Sequence, residues 1–372
     1  MNDTLQDLMR QATQLTQSGR LAEATEAIQR ALGGAREYGA TTRPVSDPAS
    51  LRAADAAQAA AAPEILDGCV FEPEVRKPTA ATLGQGEFAG GVHTQTSRPL
   101  RYKLFVPPEA AGRSLPLVVM LHGCTQNPDD FAAGTGMNAL ACEQGFFVLY
   151  PEQSRKANPQ GCWSWFKHNH QRRGSGEPEA IASMTRAVMK QHGIDPRRVY
   201  VAGLSAGGAM AVVMAAEYPE LYAAAGIHSG LPAGAARDVA GALAAMRSGE
   251  APLAGGAQFD ARAAVSVPTI VFHGDLDRTV HPRNGERVIA AALGASGVAR
   301  PEQGVSPRGR RFTRTMHHGE DGEALAEHWL VHGAGHAWSG GHAQGSYTDP
   351  NGPDATQEMV RFFFEHPLVL RH

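Results

Sequence analysis

Long apolar runs are missing from this chain of 372 residues. No stretch approaches the roughly 20 apolar residues that a membrane helix needs, which excludes a transmembrane segment of that kind. An excess of charge is missing too. The formal net charge is −3, unlike the distinctly basic balance of a nucleic-acid binder. Cysteine is scarce, with only Cys69, Cys124, Cys142 and Cys162. These form no CxxC pair and no compact Cys/His cluster, so neither a structural zinc site nor any other metal is implied. Two readings of the cysteines stay open. All four are reduced, as in a cytosolic protein, or Cys124 and Cys162 are bridged, since both flank segments assigned to the site below. The stretch Met1 to Arg10 lacks the basic start and apolar core of a secretory signal, and that absence points to the cytoplasm.

Glycine and proline are plentiful, at 42 and 24 residues, as suits a fold with many tight strand–helix connections. Residues 1–32 read as a helical hairpin. Leu5, Leu8, Met9, Ala12 and Leu15 recur at helical spacing, Ser18-Gly19-Arg20 interrupts them, and Leu21, Ala24, Ile28 and Leu32 resume the pattern. Such a hairpin packs on a neighbouring domain or provides contact with a granule surface. Residues 33–82 read as a partly disordered linker, with Gly33-Gly34, Pro44, Pro48, an alanine tract from Ala53 to Ala62, and Pro63. From residue 83 to 372, strand-like and helix-like runs alternate. That is the signature of an α/β domain with a mostly parallel sheet covered by helices. Strands are expected over 102–106, 115–121, 146–150, 199–203, 223–227, 269–272 and 328–331. Helices are expected over 181–192, 209–218 and 358–364.

Three motifs then follow in a fixed order. Gly203-Leu204-Ser205-Ala206-Gly207 comes first, His273-Gly274-Asp275-Leu276-Asp277 second, and Gly335-His336-Ala337-Trp338 third. Nucleophile, acid, histidine is the chain order of a serine hydrolase on the α/β-hydrolase fold. A serine hydroxyl is a weak nucleophile and needs both exposure and a base. Ser205 lies between an apolar strand and a helix, flanked by glycines that permit a sharp turn. Asp277 is the expected acid, with Val280 returning to the core, and Asp275 is expected to stabilise the turn through its own backbone. His336 is preferred over His332 and His342 because it follows the last strand and its glycine turn. The oxyanion donors expected are the backbone N–H groups of Ala206 and of Cys124. The latter lies in the loop after the apolar run Val118 to Leu121. His122 in that loop reads as a turn residue.

With these motifs in place, residues 88–366 resemble the esterase family of poly(3-hydroxybutyrate) depolymerases. The resemblance is carried by Leu121-His122-Gly123-Cys124-Thr125-Gln126, Cys162-Trp163-Ser164-Trp165-Phe166 and Gly203 to Met210. It continues through Phe272 to Asp277, Gly335 to Gly341 and Tyr347 to Ala355. It implies a cofactor-free serine esterase acting on a polyester or a small ester. Related members resemble feruloyl and acetylxylan esterases, so a carbohydrate-ester or short-acyl substrate is the alternative. Many members are secreted, so an extracellular site is the alternative to the cytoplasm. A reading of another class is a granule-associated binding protein. Trp338 is expected either to wall an apolar substrate groove or to pack in the core. Trp163 and Trp165 carry the same two readings, with packing preferred. The run Arg308-Gly309-Arg310-Arg311 reads as a solvated loop without aromatic partners for nucleic acid.

Overall fold

The computed structural model describes residues 85–96, 99–249, 267–293, 298–319 and 324–369. The hairpin of residues 1–32, the linker of 33–82 and Cys69 lie outside them.

Short apolar runs become strands because their residues can be buried on both faces. The strands are β1 (Glu87–His93), β2 (Leu100–Val106), β3 (Leu117–Leu121), β4 (Phe147–Glu152) and β5 (Val199–Leu204). They continue with β6 (Ala224–His228), β7 (Thr269–Gly274), β8 (Val298–Val305), β9 (Arg311–His318) and β10 (Ala324–Val331). All belong to one sheet in the order β1-β2-β4-β3-β5-β6-β7-β10-β9-β8. The run from β4 to β10 is parallel throughout. Antiparallel strands close both sides: β1 and β2 on one, β9 and β8 on the other. This is the α/β-hydrolase architecture. Two short strands, β11 (Trp338–Ser339) and β12 (Thr348–Asp349), pair separately.

Helices cover both faces of the sheet. They are α1 (Pro128–Thr135), α2 (Met137–Gln144), α3 (Gly176–His192), α4 (Ala206–Glu217), α5 (Val239–Ser248), α6 (Arg283–Leu293) and α7 (Ala355–Glu365). The two-residue period of a strand divides the core cleanly. Leu117, Val119 and Leu121 of β3 join one cluster with Ile181, Met184, Met210, Val213 and Val288. Val118 and Met120 join the other with Phe131, Leu140, Met359 and Phe363. Helix α4 is buried from Ala206 to Ala215, consistent with its uniformly small and apolar sequence. Among the described residues no helix is long and apolar enough to cross a membrane.

One buried charge ties the late strands to the closing helix. Glu327 of β10 is 1% exposed. Its carboxylate accepts from Arg314 Nη2 of β9 at 2.8 Å, from Arg361 Nη2 of α7 at 2.8 Å and from Trp329 Nε1 at 3.1 Å. Burial would raise this carboxyl, but the two guanidinium groups outweigh it and keep the group ionised. Removing the carboxylate takes the carboxylate partner from Arg314 and the acceptor from Trp329 Nε1, while Arg361 keeps Glu358 and Glu365. Glu327→Ala is therefore expected to lower the unfolding free energy by about 2 to 3 kcal/mol, between an exposed pair and a fully buried one. Denaturant unfolding within about 1 kcal/mol of the wild type, the range of an exposed pair, would show that the bridge contributes no more than surface pairing.

Candidate active site

Strand β5 ends at Leu204 and α4 begins at Ala206, so Ser205 alone makes the turn. Its backbone has φ 58° and ψ −118°, a conformation uncommon for a residue with a Cβ. The turn holds because the backbones around it press together. A Cβ on Gly207 would overlap the Leu121 carbonyl at the end of β3, and one on Gly203 would overlap the Gly207 carbonyl. The Ser205 N–H is anchored to the His228 carbonyl at 2.9 Å. The side chain is only half-buried.

The loop after β3 lies against this turn. A Cβ on Gly123 would stand 3.7 Å from Ser205 Cβ. The backbone N–H groups of Cys124 and Ala206 donate to no protein acceptor among the described residues. They are therefore open to a ligand oxygen, and the N-terminus of α4 adds its dipole. The loop is fixed from several directions. Gly123 N donates to Gln126 Oε1 at 2.9 Å, and Thr125 N to the Gln160 carbonyl at 2.6 Å. Cys124 and Cys162 form a disulfide, which removes the reading of four reduced thiols. The imidazole of His122 donates through Nδ1 to the Gly123 carbonyl at 2.8 Å and accepts the Gln153 N–H at 3.1 Å. It is the turn residue expected. Behind it, Glu177 accepts from Gln153 Nε2 at 2.6 Å and from Ser164 N at 2.7 Å.

Asp277 and His336 meet on the same edge. The His336 Nδ1–H donates to Asp277 Oδ2 at 2.7 Å. The other carboxylate oxygen accepts the N–H groups of Thr279 and Val280, both at 2.8 Å. Beneath them lies His273, whose Nε2–H donates to the Val280 carbonyl at 2.8 Å and stands 3.4 Å from Asp277 Oδ2. Burial by itself would raise the Asp277 carboxyl. Hydrogen bonds from His273 and His336, the His336 charge and the Val280 N–H outweigh it and hold the group far below the usual carboxylate range. The register Leu204–His228–Phe272 across β5, β6 and β7, with Gly274 against Val331 of β10, brings all three loops to the carboxyl edge. No hydrogen bond closes Ser205 Oγ to His336 here, a contact that commonly tightens only with substrate in place.

The rival side chains are engaged elsewhere. Asp275 accepts from His332 Nδ1 at 3.0 Å and from Gly333 N at 2.7 Å, so it ties its loop to the one after β10 and does not take the expected role of bonding its own turn. The ring of His342 lies over Gly136. Trp338 requires a correction, because the structure does not make it a groove wall. It is 1% exposed, crosses the Phe131 ring edge-on at 5.5 Å, stacks on His228 at 5.1 Å and donates to Thr356 Oγ1 at 3.0 Å. Trp163 and Trp165 are buried as well. Among the described residues an exposed aromatic ring is instead offered by Tyr347, at φ 53°, whose hydroxyl is 3.1 Å from Thr125 Oγ1. Neither Tyr347 nor the supports His228 and His273 were singled out from the sequence. The signals available were the histidine of the HGxxD motif and the place of Tyr347 at the head of the Tyr347 to Ala355 stretch.

A family model described as "Esterase PHB depolymerase" matches residues 100–304. Poly(3-hydroxyalkanoate) depolymerase C of Paucimonas lemoignei is 35% identical over 237 residues, covering 62% of this chain and 56% of that protein. Acetylxylan esterase A of Emericella nidulans is 34% identical over 164 residues, covering 43% of this chain and 50% of that protein. The chain thus spans about half the length of these curated relatives. Among solved structures, an acetyl xylan esterase from Aspergillus awamori superposes with a TM-score of 0.56 at 21% identity, over 74% of this chain and 99% of that one. The last likeness bears on the fold.

Two outcomes follow from the geometry. Burial drives the imidazoles of His228 and His122 down to about 3 and about 4, whereas an unfolded imidazole titrates near 6.5. Between those values the unfolded chain binds more protons. Their contribution to stability is therefore complete above about pH 6.5 and is lost as pH falls toward 4. In His228→Gln the unfolding free energy is expected to fall about 1 to 3 kcal/mol less over that window, and a curve parallel to the wild type would contradict the assignment. Cys162→Ser, which opens the bridge to Cys124, is expected to cost about 2 to 4 kcal/mol in denaturant unfolding. An unchanged midpoint would show that the bridge does not hold the loop.

Proposed function

The chain belongs to the esterase family of poly(3-hydroxybutyrate) depolymerases, and from that premise we propose that it is a serine esterase whose substrates are poly(3-hydroxybutyrate) or its oligomers. The observation that carries the proposal is the 2.7 Å bond between His336 and Asp277 on the sheet edge that also bears the strained turn at Ser205. In the reaction we assign to this arrangement, His336 Nε2 takes the Ser205 proton as Oγ attacks the ester carbonyl. The oxygen that gains charge is met by the N–H groups of Cys124 and Ala206. The imidazolium, held in orientation by Asp277, gives its proton to the departing alkoxide and leaves an acyl-serine. Water, deprotonated by the same imidazole, then releases the acid and restores Ser205. No cofactor enters these steps.

A second reading is deacetylation of a polysaccharide. It is favoured by the relatives named as acetylxylan esterases, which are nearly as similar as the depolymerase. The Cys124–Cys162 disulfide supports an oxidising compartment over the cytoplasmic one suggested by the polar N-terminal stretch.

Turnover of a neutral chromogenic butyrate ester tests the reaction. Wild-type chain is expected to release product, and Ser205→Ala to lose about 10⁴-fold or more in kcat. Equal rates would remove Ser205 from the chemistry. A panel of hydroxybutyrate oligomers, acetylated xylan and feruloyl esters is expected to give its highest kcat/KM on the oligomers. A preference for acetylated xylan would favour the second reading.

A further inference from the structure

The hairpin of β8 and β9 brings a third wall to the carboxyl edge. Phe312 of β9 pairs with Val331 of β10, and the His332 N–H donates to the Arg311 carbonyl at 2.9 Å. The turn between β8 and β9 therefore rises beside the loops that follow β7 and β10. An open cavity of about 960 Å³ lies between them. Leu276, one residue before Asp277, and Val305, at the end of β8, line it while 61% and 63% exposed. Asp275 and His332 also line it but are engaged with each other, and His332 is further held by Thr313 Oγ1 at 2.9 Å. Arg310 is tied to the Gly333 carbonyl at 3.0 Å and to Asp349 at 3.2 Å. Arg308 and Arg311 are different. Both are exposed at the cavity, and neither pairs with a carboxylate among the described residues. The cavity thus combines two exposed apolar side chains with two guanidinium groups that lack a carboxylate partner among the described residues, in a chain whose overall balance is slightly acidic.

Guanidinium groups are suited to the paired oxygens of a carboxylate. A linear ester of hydroxyacids has one carboxylate, at its end, and an otherwise uncharged backbone. We propose that the cavity is a subsite for that terminal carboxylate, held by Arg308 and Arg311 while the neighbouring units lie along Leu276 and Val305. The assignment rests on the esterase reading above and narrows it to acid-ended oligoesters. It also carries a length requirement. Strand β9 is four strand positions from β5 in the sheet order, about 19 Å at ~4.8 Å per strand. A single acyl group does not cover that span, and a chain of several hydroxyacid units does.

Binding decides the question independently of turnover. Calorimetry on the full chain carrying Ser205→Ala would use the hydroxybutyrate tetramer as free acid and as methyl ester, and the dimer in both forms. The tetramer acid is expected to bind about tenfold more tightly than its methyl ester at low salt. The dimer is expected to show the same preference for its acid form at lower affinity, because it occupies the cavity without reaching Ser205. Arg308→Gln with Arg311→Gln is expected to erase the tetramer's advantage. Equal affinities for acid and ester, or an advantage that survives both substitutions, would overturn the subsite. With Ser205 intact, the same double variant should turn over the neutral butyrate ester at the wild-type rate, which shows that the site is otherwise whole. Absence of that turnover in the wild type would count against the esterase reading alone, because the binding comparison is read without it.

Discussion

The carboxyl ends of β3 and β5 approach so closely that no Cβ fits between them, and the functional edge of the molecule is organised around that contact. With glycine at 203 and 207, the Leu121 carbonyl and the first turn of α4 come together, and Ser205 is forced to positive φ. A turn of this kind is costly in isolation. It persists because α4 is buried from Ala206 to Ala215 between the sheet and its neighbours, so relaxing the turn would lift a whole helix out of the core. The same approach aligns the proposed oxyanion loop, since Gly123 follows Leu121 by two residues and lies against Ser205. The proposed nucleophile and the proposed oxyanion donors are thus products of one packing contact.

Polar support beneath the edge relies on neutral imidazoles. A neutral ring donates from one nitrogen and accepts at the other, so it can join two backbone segments without bringing a charge into the core. His122 links Gly123 to Gln153 in this way, and His228 accepts the Ser339 N–H while its own carbonyl holds Ser205 N. Glu177 extends the first link to Ser164, next to the disulfide partner Cys162, and its depressed carboxyl stays ionised against the cost of burial. His273 supports the loop bearing Asp277 through Nε2 alone, which donates to the Val280 carbonyl and lies 3.4 Å from Asp277 Oδ2. The flanking histidines therefore act as connectors, and His336, only half-buried, is left to meet solvent.

Central strands were legible because burial on both faces leaves no polar positions. The runs ending at Leu121, Leu204 and Gly274 appear within a few residues of their expected bounds. The candidate residues Ser205, Asp277 and His336 were legible because each follows such a strand and carries a small-residue turn. Strands β1, β8 and β9 were not. Gly90 and Gly91 dilute β1, while Arg300, Pro301, Glu302 and Gln303 give β8 the composition of a loop. Their pairing is a tertiary fact, supplied by the registers with β2 and with β9. Helices α1, α2 and α5 are short and their apolar spacing is faint, whereas α6 is strongly amphipathic and was passed over. The burial of Trp338 depends on elements distant in sequence and no local pattern encodes it, whereas the Cys124–Cys162 bridge is one of the two readings the sequence left open.

The same unpromising composition gives β8 a protective role at the outer margin of the sheet. A terminal strand offers unpaired backbone groups to any extended chain that drifts past, including a second copy of itself. Pro301 removes one donor from that row, and Arg300 and Glu302 place solvated charge on either side of it. On this flank the sheet resists being lengthened by strangers, so crowding at high concentration should be governed by other surfaces.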